Sequence, residues 1–203
     1  MAGDTNTTEA FCYLCGESSH KVGKIAVAEG RIDGICRGCI ERCRETFKRA
    51  DYLPIDIRQA READTDSVMD IDATVDTHLS TTMHRREVLD EIVLGRVYLL
   101  CRKDTGAACG YIMFEQKSSS HLYISGFAVH PSARGRGVGA QALKYVIDHF
   151  GRLARVDLLT HPENVRAIGL YVSMGFVAEG ILPRPLALGA GPRVLMRYAG
   201  PRP

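Results

Sequence analysis

Four cysteines near the amino terminus have the spacing of a metal site. Cys12 and Cys15 form one C-x2-C pair, and Cys36 and Cys39 form a second pair after an interval of 20 residues. Two residues between thiolates permit a tight turn that points both sulfurs at one ion, and two such turns supply the four ligands of tetrahedral Zn²⁺. Because protein ligands fill all four positions, we predict a structural zinc ion, with Cys43 as a spare thiol.

A second segment of the chain has the residues of an anion-binding loop. Residues 134–139 read Arg-Gly-Arg-Gly-Val-Gly and lie between a predicted strand that ends at Val129 and a predicted helix. Glycines remove side chains from the turn, so successive backbone N–H groups can point at a phosphate near the positive end of the helix. Arg134 and Arg136 add positive charge. We therefore predict that this loop binds a phosphate group.

The elements that position these residues follow from hydrophobic periodicity and turn signals. The predicted strands are 55–59, 97–102, 110–115, 122–129, 156–160, 176–178 and 194–198, and the predicted helices are 63–75, 83–94, 143–150 and 167–174. Asp104-Thr105-Gly106 predicts a hairpin turn, and Gly126 inside a strand indicates a bulge or a close approach of another group. Strands that alternate with helices predict a mixed α/β domain without internal repeats.

Composition narrows the class of protein. The chain has 203 residues, of which 45% are apolar and 25% charged, so it has enough core-forming residues to fold. No run approaches the roughly 18 apolar residues of a membrane span, and the polar start lacks the layout of a signal peptide. We therefore predict a cytoplasmic protein with no membrane contact, in which cysteines are metal ligands or free thiols rather than disulfides.

Charge is segregated along the chain. Residues 51–92 carry 4 Lys/Arg and 11 Asp/Glu, whereas residues 93–203 carry 14 and 6. The later segment could therefore meet an anion and the acidic segment a cation, unless both are ordinary solvated surfaces. Residues 1–50 carry 8 Lys/Arg and 7 Asp/Glu. This excess of positive charge is too small for a surface that binds along a phosphate backbone. We therefore predict no nucleic-acid partner.

A later segment and the predicted phosphate-binding loop together match the pattern of a known family. Residues 164–176 read Asn-Val-Arg-Ala-Ile-Gly-Leu-Tyr-Val-Ser-Met-Gly-Phe. With the loop at 134–139, this segment resembles the Gcn5-related N-acetyltransferase (GNAT) family, whose loop reads [RQ]-x-x-G-x-[GA] and whose later helix reads N-x-x-A-x-x-x-Y-x-x-x-G-F. The resemblance extends from Ile55 to Tyr198. It implies a mixed sheet that is splayed open at the strand carrying residues 127–129, with acetyl-CoA as cosubstrate in the gap.

The resemblance also implies roles for individual residues. The backbone of Phe127, Ala128 and Val129 would contact the pantetheine arm, and Asn164 would bind nearby. The pyrophosphate would be held by the loop residues Arg134, Gly135, Arg136, Gly137, Val138, Gly139 and Ala140. Tyr171 would protonate the departing thiolate of coenzyme A, after direct attack of an amine on the thioester.

The general base is open at this point, because residues 122–129 include no carboxylate. Candidates are Glu115 on the preceding strand, Tyr123 or Ser125 acting through water, and His161 after the next strand. A lysine acceptor with a pKa near 10.4 needs a base more than an α-amine with a pKa near 8. The sequence leaves the acceptor open between a protein N-terminus, a lysine and a small molecule. The acidic segment at 51–92 favours a cationic amine.

The cysteine segment carries its own resemblance. Residues 11–47, with both C-x2-C pairs and the trailing Cys43, resemble the zinc-binding domain of the ClpX unfoldase family. That resemblance implies a small treble-clef-like module that dimerises or docks a protein partner. The chain has no G-x-x-x-x-G-K-[ST] motif, so the ATP-driven machinery of that family is not expected.

Together these patterns predict two domains and one main function. We expect a zinc module at 10–48, a linker at 49–54 that includes Pro54, and an acetyltransferase domain at 55–199. The predicted function is transfer of acetyl from acetyl-CoA to a primary amine, in a homodimer formed through the zinc module. The alternative is a non-catalytic sensor of acyl-CoA, or an adaptor that acts through the zinc module.

Overall fold

A seven-stranded sheet forms the centre of the computed structural model, which describes residues 11–12, 14–22, 25–27, 34–48, 52–80, 82–150, 155–183 and 191–200. The strand order is β3-β4-β5-β6-β7-β9-β8. These strands are β3 (Ile55–Gln59), β4 (Val97–Arg102), β5 (Ala108–Ser118), β6 (His121–Val129), β7 (Arg155–Thr160), β8 (Phe176–Leu182) and β9 (Arg193–Tyr198). All seven predicted strands are confirmed, with ends that differ by a few residues.

The sheet has one parallel pair, β6 with β7, among antiparallel neighbours. Parallel pairing joins His121–Arg155 through Ile124–Leu158 and ends there, although β6 continues to Val129. Beyond Ile124, β6 therefore stays paired only with β5, and a gap opens between β6 and β7. This opening confirms the predicted splay at residues 127–129.

A β-bulge on β6 marks the start of the gap. On the β5 side, Met113 pairs with Gly126 and Phe114 pairs with Ile124, so Ser125 has no partner residue across the ladder. An extra residue of this kind bends a strand and re-aims its side chains. The glycine that predicted an irregularity, Gly126, lies next to the bulged residue.

Helices cover both faces of the sheet. Helices α3 (Thr65–Asp72) and α4 (Arg85–Val93) bury Val68 and Val88 in a cluster that includes Leu99. Helices α5 (Val138–Phe150) and α6 (Val165–Ser173) bury apolar side chains in a second cluster that includes Leu100. Successive residues of a strand point to opposite faces, so Leu99 and Leu100 assign the two helix pairs to opposite sides. This arrangement confirms the predicted mixed α/β class.

Each predicted helix appears close to its expected range. A short 3-10 turn (Glu62–Asp64) precedes α3, and another (Pro131–Ala133) precedes the glycine-rich loop. Helix α6 ends before Gly175, whose φ of 94° is unfavourable for residues with a side chain. No helix in these described ranges has the length and apolar character needed to cross a bilayer.

The cysteine-rich segment forms a short helix, a hairpin and a longer helix. These are α1 (Ser19–Val22), β1 (Ile25–Val27) paired antiparallel with β2 (Gly34–Cys36), and α2 (Arg37–Lys48). Helix α2 packs against α6. The buried residues Cys12 and Cys36 belong to the same apolar cluster as Leu53 and Leu143.

Candidate active site

A cavity of about 830 Å³ occupies the gap between β6 and β7. The end of β6, the glycine-rich loop and the first turns of α5 and α6 line one part of it. The segment from the end of α3 to the start of α4 lines another part. The two parts are named for the ligands that the family resemblance implies: the first part is the cofactor wall, and the described residues of the segment 72–87 are the acceptor wall.

The glycine-rich loop has the backbone shape that its sequence predicts. Gly135 and Gly137 have φ angles of 74° and 78°, a region that side chains disfavour, and α5 begins at the next residue. At Gly139 a β-carbon would lie 2.8 Å from Leu170 Cδ2, so a larger residue there would require the Leu170 side chain to move. Of the loop residues predicted to hold a phosphate, these line the cavity: Arg134, Gly135, Gly137, Val138, Gly139 and Ala140. Arg136 lies outside the lining.

The Arg134 side chain bonds to two parts of the protein at the cavity. Its Nε donates to the carbonyl oxygen of Val129 at 2.8 Å, and its Nη2 donates to the carbonyl of Thr74 at 3.2 Å. The guanidinium therefore joins the end of β6 to the segment after α3. Arg134 thus links the two walls of the cavity, and its predicted contact with a phosphate stays a prediction.

The free edge of β6 presents backbone groups to the cavity. The N–H of His130 donates to Cys109 at 2.9 Å across the pair formed by Val129 and Gly110. In an antiparallel ladder this bond makes Val129–Gly110 a non-hydrogen-bonded pair, so the N–H and C=O of Val129 point away from β5. The same alternation applies to Phe127. Phe127 therefore directs its N–H and C=O into the gap, whereas at Val129 only the N–H remains for a ligand because the C=O accepts from Arg134. Phe127, Ala128 and Val129 all line the cavity.

Tyr171 reaches the cavity from α6. Its side chain is 6% exposed, lines the cavity and packs against Phe176 with ring centroids 5.9 Å apart. Burial, with a smaller effect of the neighbouring Tyr123, raises the pKa of Tyr171 above its usual range. The phenol therefore stays protonated through neutral and mildly alkaline pH, and it can act as a proton donor.

Asn164 lines the cavity and also caps the start of a helix. It is the N-cap of α6, and its Oδ1 accepts a hydrogen bond from the N–H of Ala167 at 3.3 Å. An N-cap satisfies one of the donors that a helix start leaves free. The side-chain amide has no hydrogen-bond partner among the residues that the structure describes.

The four candidate bases fall into two groups. Tyr123 and Ser125 line the cavity, and burial raises the pKa of Tyr123. Glu115 lies outside the lining and forms ion pairs with Arg96, at 3.1 Å, and with Lys117. His161 also lies outside the lining, where its Nδ1 accepts from the N–H of residue 163. The structure thus brings Tyr123 and Ser125 to the site, and it does not bring Glu115 or His161 there.

The acceptor wall contains residues that the sequence did not single out. Asp72 is 2% exposed and accepts hydrogen bonds from the Tyr111 hydroxyl at 2.5 Å and from the N–H of Met83 at 2.7 Å. Burial and the contact with Asp72 raise the pKa of Tyr111. The Asp72 carboxylate thus holds the segment between α3 and α4 at both ends, because Asp72 is the last residue of α3 and Met83 lies just before α4. No local spacing links Asp72 to Tyr111, because they are 39 residues apart.

Two further carboxylates of the acceptor wall are exposed to solvent. Asp76 and Glu87 both line the cavity. Each also accepts a backbone N–H nearby, Asp76 from His78 and Glu87 from His84. The buried guanidinium of Arg193 lines the cavity as well. The acceptor wall is therefore acidic where it is open to solvent.

The four predicted metal ligands come together in space. Their sulfur atoms all lie within 4.8 Å of one another, and three of the four cysteines are buried. Tetrahedral Zn²⁺ with Zn–S bonds near 2.3 Å requires sulfurs roughly 3.8 Å apart, and Cys15 and Cys36 are at 3.9 Å. Gly16, at a φ of 70°, closes the first turn by donating its N–H to the carbonyl of Cys12. The residues therefore fit zinc.

Hydrogen bonds and charge around the cysteines also fit a cation. Burial raises the pKa of Cys12, but N–H donors from Cys36, Leu14 and Cys15 outweigh it and lower the pKa to about 7. At Cys39, burial and the neighbouring thiols raise the pKa to about 12. Four adjacent thiols cannot all ionise without a compensating positive charge, which a metal ion supplies. The side chain of Cys43 lies outside the described residues.

The buried thiols of the sheet are separate from the cavity. Cys101 and Cys109 are 7% and 3% exposed and lie outside its lining. Burial raises the pKa of Cys109 to about 11, so its thiol is protonated at neutral pH. This geometry does not support covalent catalysis by either cysteine.

A splayed mixed sheet with a glycine-rich loop at the gap defines a class of acetyltransferase folds. The model of the acetyltransferase (GNAT) family matches residues 65–176, which is more than half of the chain. The chain therefore belongs to the GNAT family.

Solved structures share this fold at low sequence identity. Ard1 from Thermoplasma volcanium has a TM-score of 0.62 and 23% identity, with 70% of this chain and 95% of that chain covered. The ribosomal-protein-S18-alanine N-acetyltransferase from Escherichia coli has a TM-score of 0.59 and 17% identity, with 71% and 93% covered. Naa50 from Arabidopsis thaliana, solved with the bisubstrate analogue CoA-Ac-MVNAL, has a TM-score of 0.59 and 18% identity, with 72% and 99% covered.

Curated relatives match over shorter segments. The UPF0157 protein YqkA of Bacillus subtilis is 32% identical over 87 residues, which is 39% of this chain and 25% of that protein. The uncharacterized protein ML0378 of Mycobacterium leprae is 40% identical over 70 residues, which is 34% of this chain and 19% of that protein. The chain thus spans a quarter or less of the length of these relatives.

Proposed function

We propose that the chain transfers the acetyl group of acetyl-CoA to a primary amine. One observation carries this proposal: the cavity combines the free backbone edge of β6, the glycine-rich loop and the buried hydroxyl of Tyr171. A thioester carbonyl, a pyrophosphate and a leaving thiolate need these three features respectively. Membership of the GNAT family supports the same chemistry.

In this proposal the cofactor wall binds acetyl-CoA mainly through backbone groups. The N–H and C=O of Phe127 pair with the pantetheine arm, as an added strand would, while the C=O of Val129 stays bonded to Arg134. The N–H groups of residues 135–140 hold the pyrophosphate at the start of α5, where the helix dipole favours an anion. The free side-chain amide of Asn164 donates to the arm where it passes α6.

The reaction is a direct displacement. The neutral amine attacks the thioester carbonyl, and the N–H of Val129 stabilises the negative charge that develops on the carbonyl oxygen. The carbon–sulfur bond then breaks, and the Tyr171 hydroxyl gives its proton to the thiolate. The attacking nitrogen loses a proton to water held by Tyr123 and Ser125, since both line the cavity. The ion pairs of Glu115 argue against its use as the base.

The acceptor wall suggests the kind of amine. Asp76 and Glu87 line the cavity and are exposed to solvent, so they place negative charge on the acceptor wall. A cationic substrate that approaches this wall is attracted, whereas an anionic substrate is repelled. We therefore infer that the acceptor is a cationic amine.

Tyr171→Phe separates catalysis from binding. Removing only the hydroxyl should lower kcat by about 100-fold or more, since general acids contribute on this scale. Binding of acetyl-CoA, measured by calorimetry, should stay within about twofold. Tyr198→Phe is the matched control, because Tyr198 also packs against Phe176, at 5.5 Å, but lies outside the cavity lining. Binding of acetyl-CoA without turnover in the wild type would instead favour the acyl-CoA sensor.

We also propose that the four cysteines hold one structural zinc ion in a module at 10–48, followed by a linker at 49–54 and the acetyltransferase domain at 55–199. The fit of the sulfur geometry supports the metal, and the resemblance to the ClpX zinc-binding domain supports a homodimer or a docked protein partner. Native mass spectrometry should find one zinc per chain and a dimer. In Cys36→Ser, zinc and the dimer should be lost together, whereas a zinc-free wild-type dimer would contradict the proposal.

A further inference from the structure

Tyr52 is a large aromatic residue that remains in solvent beside the glycine-rich loop. It is 67% exposed, more than any other phenylalanine or tyrosine among the described residues. Its ring nevertheless packs on the loop, because a β-carbon at Gly137 would lie 3.2 Å from Cδ2 and 3.5 Å from Cε2 of Tyr52. One part of the ring thus contacts the loop, and the rest is open.

The position of Tyr52 is fixed by hydrogen bonds on the residues that follow it. The N–H of Leu53 donates to the carbonyl of Arg136 at 2.9 Å. The side-chain amide of Gln141, on α5, donates to the carbonyl of Leu53 at 2.8 Å and accepts from the N–H of Ile55 at 3.2 Å. Leu53 itself is 3% exposed. These contacts hold residues 52–55 against the rim of the loop, so the exposed ring is held in a defined place.

The two ends of the glycine-rich loop differ in chemistry. At Gly135 the neighbouring group is cationic, since a β-carbon there would lie 3.3 Å from Nη2 of Arg166. At Gly137 the neighbour is the Tyr52 ring. A nucleotide whose phosphates occupy the loop must extend its nucleoside over the rim, and a base has a flat face that stacks on aromatic rings. The cationic end suits phosphates, whereas the aromatic end suits a base.

We propose that Tyr52 is a stacking platform for the adenine ring of acetyl-CoA. This inference rests on the proposed function, since it requires that the loop hold the pyrophosphate of that cofactor. Tyr52 precedes the segment that the GNAT family model matches, which begins at residue 65. The chain between the cysteine module and the sheet thereby contributes to cofactor binding.

Two ligands and three variants test the platform. Acetyl-CoA carries adenosine 3′,5′-bisphosphate beyond the phosphate of its arm, whereas S-acetyl-4′-phosphopantetheine has the same thioester and arm and ends at that one phosphate. Tyr52→Ala should weaken acetyl-CoA binding about tenfold, the scale of one stacked base, and should change the affinity for S-acetyl-4′-phosphopantetheine less than twofold. Tyr52→Leu, which keeps an apolar cover over Gly137, should show the same selective loss. Tyr52→Phe should bind both ligands like the wild type.

Each other result contradicts the platform. Equal weakening of both ligands in Tyr52→Ala and Tyr52→Leu would mean that the ring only supports the loop. Unchanged acetyl-CoA binding in those variants would mean that adenine lies elsewhere. If the folded wild type did not bind acetyl-CoA, the proposed function itself would fail, and the platform with it.

Discussion

The two walls of the cavity differ in the groups that form them, which are mainly backbone in one and side chains in the other. The cofactor wall consists largely of backbone: the free edge of β6 and a loop in which two glycines have positive φ angles. The acceptor wall consists of side chains on the segment 72–87, anchored by the buried contact between Asp72 and Tyr111. Backbone groups are the same whatever the sequence, so a wall of backbone suits a ligand that all family members bind. A wall of side chains can differ in each protein.

This difference explains why one wall could be predicted from sequence and the other could not. A loop with a positive φ needs glycine at that position, so its shape leaves a pattern in the sequence. The acceptor wall needs no fixed residue at a fixed spacing. Asp72 and Tyr111 meet only after α3 packs on the sheet, and hydrophobic periodicity carries no information on that pairing.

The largest expected effect lies in the cofactor wall. Gly135→Ala forces a side chain onto a φ of 74°, which costs about 1–2 kcal/mol, and it places a methyl group 3.3 Å from Nη2 of Arg166 in the loop proposed to hold the pyrophosphate. Binding of acetyl-CoA, measured by calorimetry, should weaken by about tenfold or more. The KM for the acceptor amine should stay near the wild-type value.

Gly106→Ala is the matched control for backbone strain. Gly106 has a φ of 73° and no atom within 4 Å of its β-carbon position, and it lies in the turn between β4 and β5. Its substitution should lower the melting temperature about as much as Gly135→Ala does, with unchanged affinity for acetyl-CoA. Equal loss of affinity in both variants would show that strain, and not the position in the loop, weakens binding.

A smaller effect is expected in the acceptor wall. Asp76→Asn combined with Glu87→Gln removes two exposed charges and retains the side-chain oxygens that accept backbone N–H groups. At about 0.5 kcal/mol for each exposed charge, the two substitutions together should raise the KM for a cationic amine about fivefold. Steady-state kinetics at low salt measures this change.

Asp90→Asn controls for the loss of net charge. Asp90 is an exposed carboxylate on α4, as Glu87 is, but it lies outside the cavity lining. Its substitution should leave the KM unchanged. A neutral amine whose KM rises as much as that of the cation in the double variant would argue against recognition by charge.

Sequence reasoning predicted the elements of the fold well, because periodicity and turn residues are local signals. Cysteine spacing likewise predicted a cluster whose sulfurs lie within 4.8 Å. Side-chain direction was less predictable. The charge of Arg134 indicated a phosphate ligand, but its guanidinium binds the carbonyls of Val129 and Thr74. Glu115 had a suitable strand position, but Arg96 and Lys117 hold its carboxylate away from the cavity.

The division between a backbone wall for the cofactor and a side-chain wall for the acceptor is tested most directly by one titration series. Acetyl-CoA is titrated by calorimetry into the wild type, Gly135→Ala and the Asp76→Asn/Glu87→Gln double variant. One site per chain is expected in the wild type, with a loss of affinity in Gly135→Ala alone. Equal weakening in the double variant would contradict the division, because the acceptor wall would then share in holding the cofactor.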